Sequence, residues 1–151
     1  EQHMLGFNYR MTDIQAALGR SQLNRLDTFI ERRRELVARY EMLLAELPLA
    51  RPLQLADNKP AWHLYVVRPQ ADRISKHRAA AFAEMRARGI GVNVHYIPVH
   101  LQPYYRALGF KPGDFPNAER HYAEALSLPL FSAMTDAQQD LVVDALRQTL
   151  Q

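Results

Sequence analysis

Two short stretches carry side chains whose types and spacing could do chemistry. Gly6-Phe7-Asn8-Tyr9-Arg10 stands directly before Thr12-Asp13-Ile14-Gln15, which has the form of a helix-opening capping box. The Asn8 amide, the Arg10 guanidinium and the unpaired N–H groups of a helix start would together suit a phosphate or carboxylate. The same residues would equally serve an ordinary turn into a helix. The second stretch is His95-Tyr96-Ile97-Pro98-Val99-His100, where a predicted strand runs into a proline-containing loop, a common setting for binding residues. The alternative for its two histidines is a half-buried pair with satisfied hydrogen bonds. His63 and Tyr65 share one face of another predicted strand and read as structural.

Several reaction classes are excluded by what the chain lacks. There is no Cys, hence no disulfide framework, thiolate metal site or thiol nucleophile. The histidines form no HExxH and have no carboxylate at ligand spacing, so no metal site is expected. No nucleophile elbow, P-loop or GxGxxG occurs, and Ser21, Ser75, Ser127 and Ser132 carry no motif of a catalytic triad. Lys59, Lys76 and Lys111 are the only lysines, each in a turn or at a helix start, where a solvated ammonium is expected rather than a reactive amine. By its own residues the chain is not a self-sufficient enzyme.

The elements that must position these residues can be read from the pattern. With 151 residues, 48% hydrophobic and 23% charged, the chain can form one domain with a real core. No apolar run approaches the roughly 18 residues of a membrane span. Apolar residues recur at helical spacing from Thr12 to Leu47 until Pro48, which would make a helix roughly 50 Å long at 1.5 Å per residue. A domain of this size has a radius of gyration of only about 15 Å. Such a helix must bend, with Gly19 to Asn24 its weakest stretch, or protrude. Arg32-Arg33-Arg34, interleaved with Glu31 and Glu35, reads as a solvated face with i,i+4 pairs rather than a nucleic-acid stripe. Strands are predicted at 62–68 and 91–96, a helix from Ser75 to Gly89, and a short helix from Pro103 to Gly109. A further helix from Pro116, an extended piece at Leu128-Pro129-Leu130 placed at a sheet edge by its proline, and a helix capped at Thr135 complete the chain. The order predicts an α+β domain with a small, mostly antiparallel sheet and helices on one side.

At Leu5-Gly6-Phe7-Asn8-Tyr9-Arg10-Met11-Thr12-Asp13-Ile14-Gln15-Ala16-Ala17-Leu18-Gly19 the sequence resembles the DegT/DnrJ/EryC1/StrS sugar aminotransferases. The resemblance continues through Phe29-Ile30-Glu31-Arg32-Arg33-Arg34, Trp62-His63-Leu64-Tyr65, Val94 to His100, Gly113-Asp114-Phe115-Pro116-Asn117-Ala118-Glu119 and Leu126-Ser127-Leu128-Pro129-Leu130. Within the family, His95 to Tyr105 taken with Gly113 to Glu119 is most similar to the pseudaminic-acid pathway transaminases.

The resemblance implies the C-terminal small domain of the aspartate aminotransferase fold (fold type I), preceded by a long interdomain helix. Residues 1–24 would be the end of the large-domain region and the start of that helix, and 25–151 the small domain. It implies pyridoxal 5′-phosphate as cofactor, with the Schiff-base lysine in a preceding domain, so that this chain alone would be inactive. Asn8 and Arg10 would then contact cofactor or substrate phosphate, Asn8 on the neighbouring subunit. His95, Tyr96 and His100 would line the nucleotide-sugar pocket of a homodimer with shared active sites. The implied reaction moves an amino group from glutamate to a keto-sugar nucleotide, a UDP-linked 4-keto-6-deoxy sugar, in the cytoplasm. Neither nucleic acid nor membrane is an expected partner. Two alternatives stand beside this: a family member without catalysis that regulates, and a stand-alone Arg-rich nucleic-acid-binding module.

Overall fold

The helical periodicity between Thr12 and Leu47 resolves into two helices, not one. A computed structural model describes residues 9–70, 74 and 76–151. In it α1 runs Asp13–Leu23 and α2 runs Leu26–Leu43, the break falling at Asn24 and Arg25. Asparagine favours caps over helix interiors because its side chain competes for backbone groups, and here Asn24 is the C-cap of α1. The Arg25 guanidinium lies 4.7 Å from the centre of the Phe29 ring at the start of α2. The long continuous helix is thus corrected to a broken pair, interrupted at the end of the stretch predicted to be weakest. Helix α1 buries none of its residues, whereas α2 lays Leu36, Val37 and Tyr40 into the core.

Among the described residues the sheet has three antiparallel strands in the order β1 (Leu49–Ala50), β2 (Tyr65–Pro69), β3 (Leu126–Leu128). Tyr65 pairs with Leu128, Val66 with Ser127 and Val67 with Leu126. Strand β2 alternates as a one-sided strand should: Tyr65, Val67 and Pro69 are buried while Val66 and Arg68 are half-buried. Helices α3 (Arg78–Ala87) and α6 (Asp136–Leu150), between which the chain forms the shorter α4 (Pro103–Ala107) and α5 (Pro116–Glu124), pack on one another and contribute Met85, Val142, Val143, Leu146 and Leu150 to the same core. Tyr40 and Tyr65 stack at its centre with ring centroids 5.0 Å apart, and the Tyr40 hydroxyl donates to the Pro129 carbonyl at 2.9 Å. Burial drives both phenols well above the ordinary tyrosine range, Tyr65 additionally through its hydrogen bond to the Glu41 carboxylate.

Two strand expectations are corrected. Residues 91–96 form no strand; only Asn93 reaches the sheet, as an isolated antiparallel bridge to Ser127. The Val94 N–H turns back to Asn93 Oδ1 at 2.8 Å, a local side-chain bond that competes with the ladder. The extended piece predicted at 128–130 is the end strand β3 at Leu126–Leu128, and the Asn93 bridge touches its outer side only at Ser127. Pro129 sits just beyond the strand, where its missing N–H costs nothing.

The arginines of α2 are a correction only in part: Arg34 is exposed and Arg32 keeps a near ion pair with Glu35 at 2.9 Å, but these side chains also tie other elements to the helix. Arg32 bonds the Met134 carbonyl and Asp136, each at 2.9 Å. Arg33 Nη1 reaches the carbonyls of Trp62 and Leu130 at 3.0 Å and of His63 at 3.3 Å. Arg34 holds the Lys59 and Pro60 carbonyls, and Arg39 pairs with Asp140 at 2.7 Å. Guanidinium groups engaged in this way have fewer donors left for a nucleic-acid backbone.

Helix α6 opens with a complete capping box. The Gln138 N–H donates to Thr135 Oγ1 at 3.2 Å, and the Thr135 N–H donates to Gln138 Oε1 at 2.9 Å. Thr135→Ala is therefore expected to cost about 1 kcal/mol in urea denaturation. An unchanged midpoint would mean that the cap adds nothing to a helix already fixed by its buried face.

Candidate functional site

The first predicted site is only partly open to description. Asn8 lies outside the described residues, as do Gly6 and Phe7. Arg10 is exposed, three residues ahead of α1. The helix opens with the predicted capping box: the Gln15 N–H donates to Thr12 Oγ1 at 3.3 Å, and the Thr12 N–H donates to Gln15 Oε1 at 2.9 Å. Around it, Tyr9, Met11, Ile14, Leu18 and Leu23 expose large apolar surfaces, Ile14 to 83%. A helix that leaves its apolar residues in water needs another surface to cover them.

The second site is a built structure. His95 follows the Asn93 bridge and turns its ring to β3, with Nδ1 2.8 Å from Ser127 Oγ and Nε2 3.4 Å from Asn93 Nδ2. Tyr96 stands beside it, ring edge-on at 4.6 Å and 68% exposed. The chain then passes Pro98 into a 3₁₀ turn, Val99–Leu101, which carries His100 inward to 7% exposure. His100 Nε2 lies 2.8 Å from Glu119 Oε1 on α5 (Pro116–Glu124), and its ring packs 4.8 Å from that of Phe115.

Glu119 organises this half of the site. Besides the His100 contact, its carboxylate accepts the Gly113 N–H at 2.8 Å on one oxygen and 3.1 Å on the other, and the Phe115 N–H at 3.5 Å. These donors, His100 first and the Gly113 amide second, hold its carboxyl below the usual carboxylate range. An ionised carboxylate only accepts, so His100 Nε2 is the protonated nitrogen of that contact. Gly113 has φ +97°, a left-handed conformation suited to glycine, which lets its N–H point at the carboxylate.

Above this knot lies a hollow of about 400 Å³ between Pro98, Val99, Tyr105, Phe110 and Phe115. Its walls are mostly apolar and aromatic, with His100 the polar residue among them, suited to a flat or apolar ligand group. The structure therefore brings His95, Tyr96 and His100 together on one segment but gives them different surroundings. Tyr96 is exposed, His95 is half-buried and His100 is inside. Among the described residues no cluster suited to a metal ion occurs.

Three residues of this site were missed in the sequence. Ser127 lies in the Leu126–Leu130 motif but has no motif of a catalytic triad, and Asn93 only alternates with His95 in the predicted 91–96 strand. Glu119 lay in a quoted motif without a role. Their partners are 32, 2 and 19 positions away, so only the Asn93–His95 alternation was available as a local signal.

The model of the DegT/DnrJ/EryC1/StrS aminotransferase family matches residues 1–147. The chain belongs to this family. The spore coat polysaccharide biosynthesis protein SpsC of Bacillus subtilis (strain 168) is 41% identical over 145 residues, covering 94% of this chain and 37% of SpsC. Spr1654 of Streptococcus pneumoniae, assigned as a sugar aminotransferase and solved in a PLP form, superposes with a TM-score of 0.85 at 29% identity, over 93% of this chain and 36% of its own. Helicobacter pylori PseC, an aminotransferase of pseudaminic acid biosynthesis, gives a TM-score of 0.87 at 25% identity, over 99% of this chain and 40% of PseC. The chain thus spans well under half the length of these relatives. The fold is the α+β arrangement that family membership implies, and aminotransferases of fold type I share it.

Proposed function

We propose that the chain is the C-terminal part of a pyridoxal-phosphate-dependent sugar aminotransferase subunit. Its amino donor is glutamate and its acceptor a keto-sugar nucleotide, a UDP-linked 4-keto-6-deoxy sugar. The product enters surface polysaccharide or nonulosonic acid synthesis, as the pseudaminic-acid likeness suggests. The observation that carries this reading is the family match over residues 1–147, supported by the aromatic hollow between Pro98 and Phe115.

The described residues fit only one end of the cofactor. Lys59 and Lys111 are exposed, and Lys76 Nζ is bound to Glu84 and the Thr149 carbonyl, each at 2.9 Å. None has the desolvated, unpaired setting that a reactive amine needs. Arg10, and Asn8 beside it in sequence, have the chemistry to hold a phosphate. The reactive lysine and the carboxylate that partners the pyridine nitrogen then come from a preceding domain, with residues 1–24 leading out of it. Pyridoxal phosphate, when bound, supplies the electron sink for transamination. His95, Tyr96 and His100 belong to the wall that orients the sugar nucleotide and keeps water from it. The exposed apolar residues of α1 are covered by the preceding domain and by a second subunit, giving a cytoplasmic homodimer with shared sites.

The test uses the complete subunit encoded by the gene. It is expected to take up pyridoxal phosphate with a visible absorbance band and to aminate a UDP-4-keto-6-deoxy sugar in a glutamate-dependent way. A complete subunit that binds the cofactor yet aminates no keto-sugar nucleotide overturns the reading. The 151-residue chain alone is expected to show neither band nor activity.

A further inference from the structure

A serine hydroxyl beside a histidine nitrogen serves either tautomer, because it can donate or accept. At His95 a second contact decides between them. The Asn93 amide is oriented by its own backbone: Oδ1 accepts the Val94 N–H at 2.8 Å, which leaves the Nδ2 donors facing His95 Nε2 at 3.4 Å. A donor aimed at Nε2 requires a lone pair there. The ring proton is then on Nδ1, donated to Ser127 Oγ at 2.8 Å. Ser127 is 4% exposed and pinned on both sides of its strand, by Val66 in the sheet and by the two backbone hydrogen bonds of the Asn93 bridge. The acceptor oxygen is therefore fixed, and with it the ring.

From this we infer that Ser127 and Asn93 are positioning residues that fix His95 as the Nδ1–H tautomer, so that its Nε2 accepts a hydrogen bond from a hydroxyl or N–H of the ligand. The contact that occupies Nε2 is long, 3.4 Å, and lies on the exposed side of the ring, so a ligand donor can replace it without disturbing Ser127. In this form His95 offers no N–H to a phosphate oxygen. It selects for hydroxyl-bearing parts of the ligand, a sugar or ribose, and leaves the anion to other groups. That assignment of the ligand rests on the reading of this segment as the sugar-nucleotide wall; the tautomer does not.

Long-range proton–nitrogen correlation of the histidine rings in the ¹⁵N-labelled chain at neutral pH reads the tautomer directly, with His95→Gln giving the assignment. The expected pattern is a protonated Nδ1 and an unprotonated Nε2 at His95. A protonated Nε2, the form that predominates for free neutral histidine in water, overturns the inference. Asn93→Ala, which removes the contact that decides, should move the ring towards that form; an unchanged pattern also overturns it. In the complete holoenzyme Ser127→Ala should raise KM for the sugar nucleotide up to about tenfold with kcat within about twofold, the signature of lost ground-state binding. An unchanged KM overturns the ligand role of the ring. If no keto-sugar nucleotide is aminated at all, the proposed function fails, while the ring correlation still decides the tautomer.

Discussion

Glu119→Ala is expected to cut kcat/KM for the sugar nucleotide by roughly ten- to a hundredfold in the complete enzyme, the range that a misplacement of about 1 Å can cost. One carboxylate joins His100, the Gly113 turn and the start of α5, and no other described side chain takes its place at these donors. Without it the buried His100 N–H loses its acceptor, and Phe115 is no longer held against the His100 ring. The hollow between Pro98 and Phe115 loses its floor. Glu119→Gln separates shape from charge. It preserves the size of the side chain but offers one acceptor oxygen, and its NH₂ would face the donors that the second oxygen now accepts. An intermediate loss is expected.

The same residue predicts a pH dependence. The folded state holds the Glu119 carboxyl below its ordinary value of 4.5, with the His100 hydrogen bond the largest cause. A carboxyl depressed on folding contributes stability that is fully present above its ordinary value and is lost as pH falls through the folded one. Denaturation midpoints of wild type and Glu119→Gln should therefore differ most above about pH 4.5 and converge in more acid solution. Glu84 and Asp136 are depressed by Lys76 and Arg32 respectively, so both proteins still weaken in acid. A constant difference across the acid range would contradict the role given to the charge.

The second large effect is Leu36→Ala. Leu36 is fully buried among Val37, Tyr40, Leu44 and the α6 face, and its carbonyl accepts from the buried Gln139 amide at 2.7 Å. Removing its side chain should cost about 2–5 kcal/mol, the transfer term plus that of the cavity left behind. Against a typical total stability of about 5–15 kcal/mol, that brings the chain close to unfolding. Urea denaturation should show the midpoint falling steeply. A loss below about 1 kcal/mol would mean that α2 does not anchor the core as described.

What could be read from the sequence followed local rules, and what could not depended on long-range contacts. Both capping boxes, at Thr12 and Thr135, were legible because donor and acceptor lie three residues apart. Gly89 and Gly109 were legible as helix stops, and both have the positive φ that such stops use. Asn93 to Tyr96 looked like a strand because alternation is a strand signal. It failed because the Asn93 side chain captured the next N–H, a competition that hydrophobic pattern does not register. The arginines of α2 looked solvated because their acidic neighbours are near in sequence. Arg32 does pair with its neighbour Glu35, but the further partners on the 59–63 connection, the 130–134 loop and α6 are distant in the chain. His95 and His100 were legible as candidates, but not Ser127 or Glu119, which turn one histidine into an acceptor and the other into a donor.

The role proposed for the His95–His100 segment in the sugar half of the reaction has a direct test. Stopped-flow spectroscopy on the complete holoenzyme follows the two half-reactions separately, glutamate with the enzyme and then the keto-sugar nucleotide with the aminated enzyme. For Glu119→Ala the glutamate half-reaction should stay within about twofold of wild type, while the sugar half-reaction falls at least about tenfold. Equal losses in both, or a loss confined to glutamate, would contradict it.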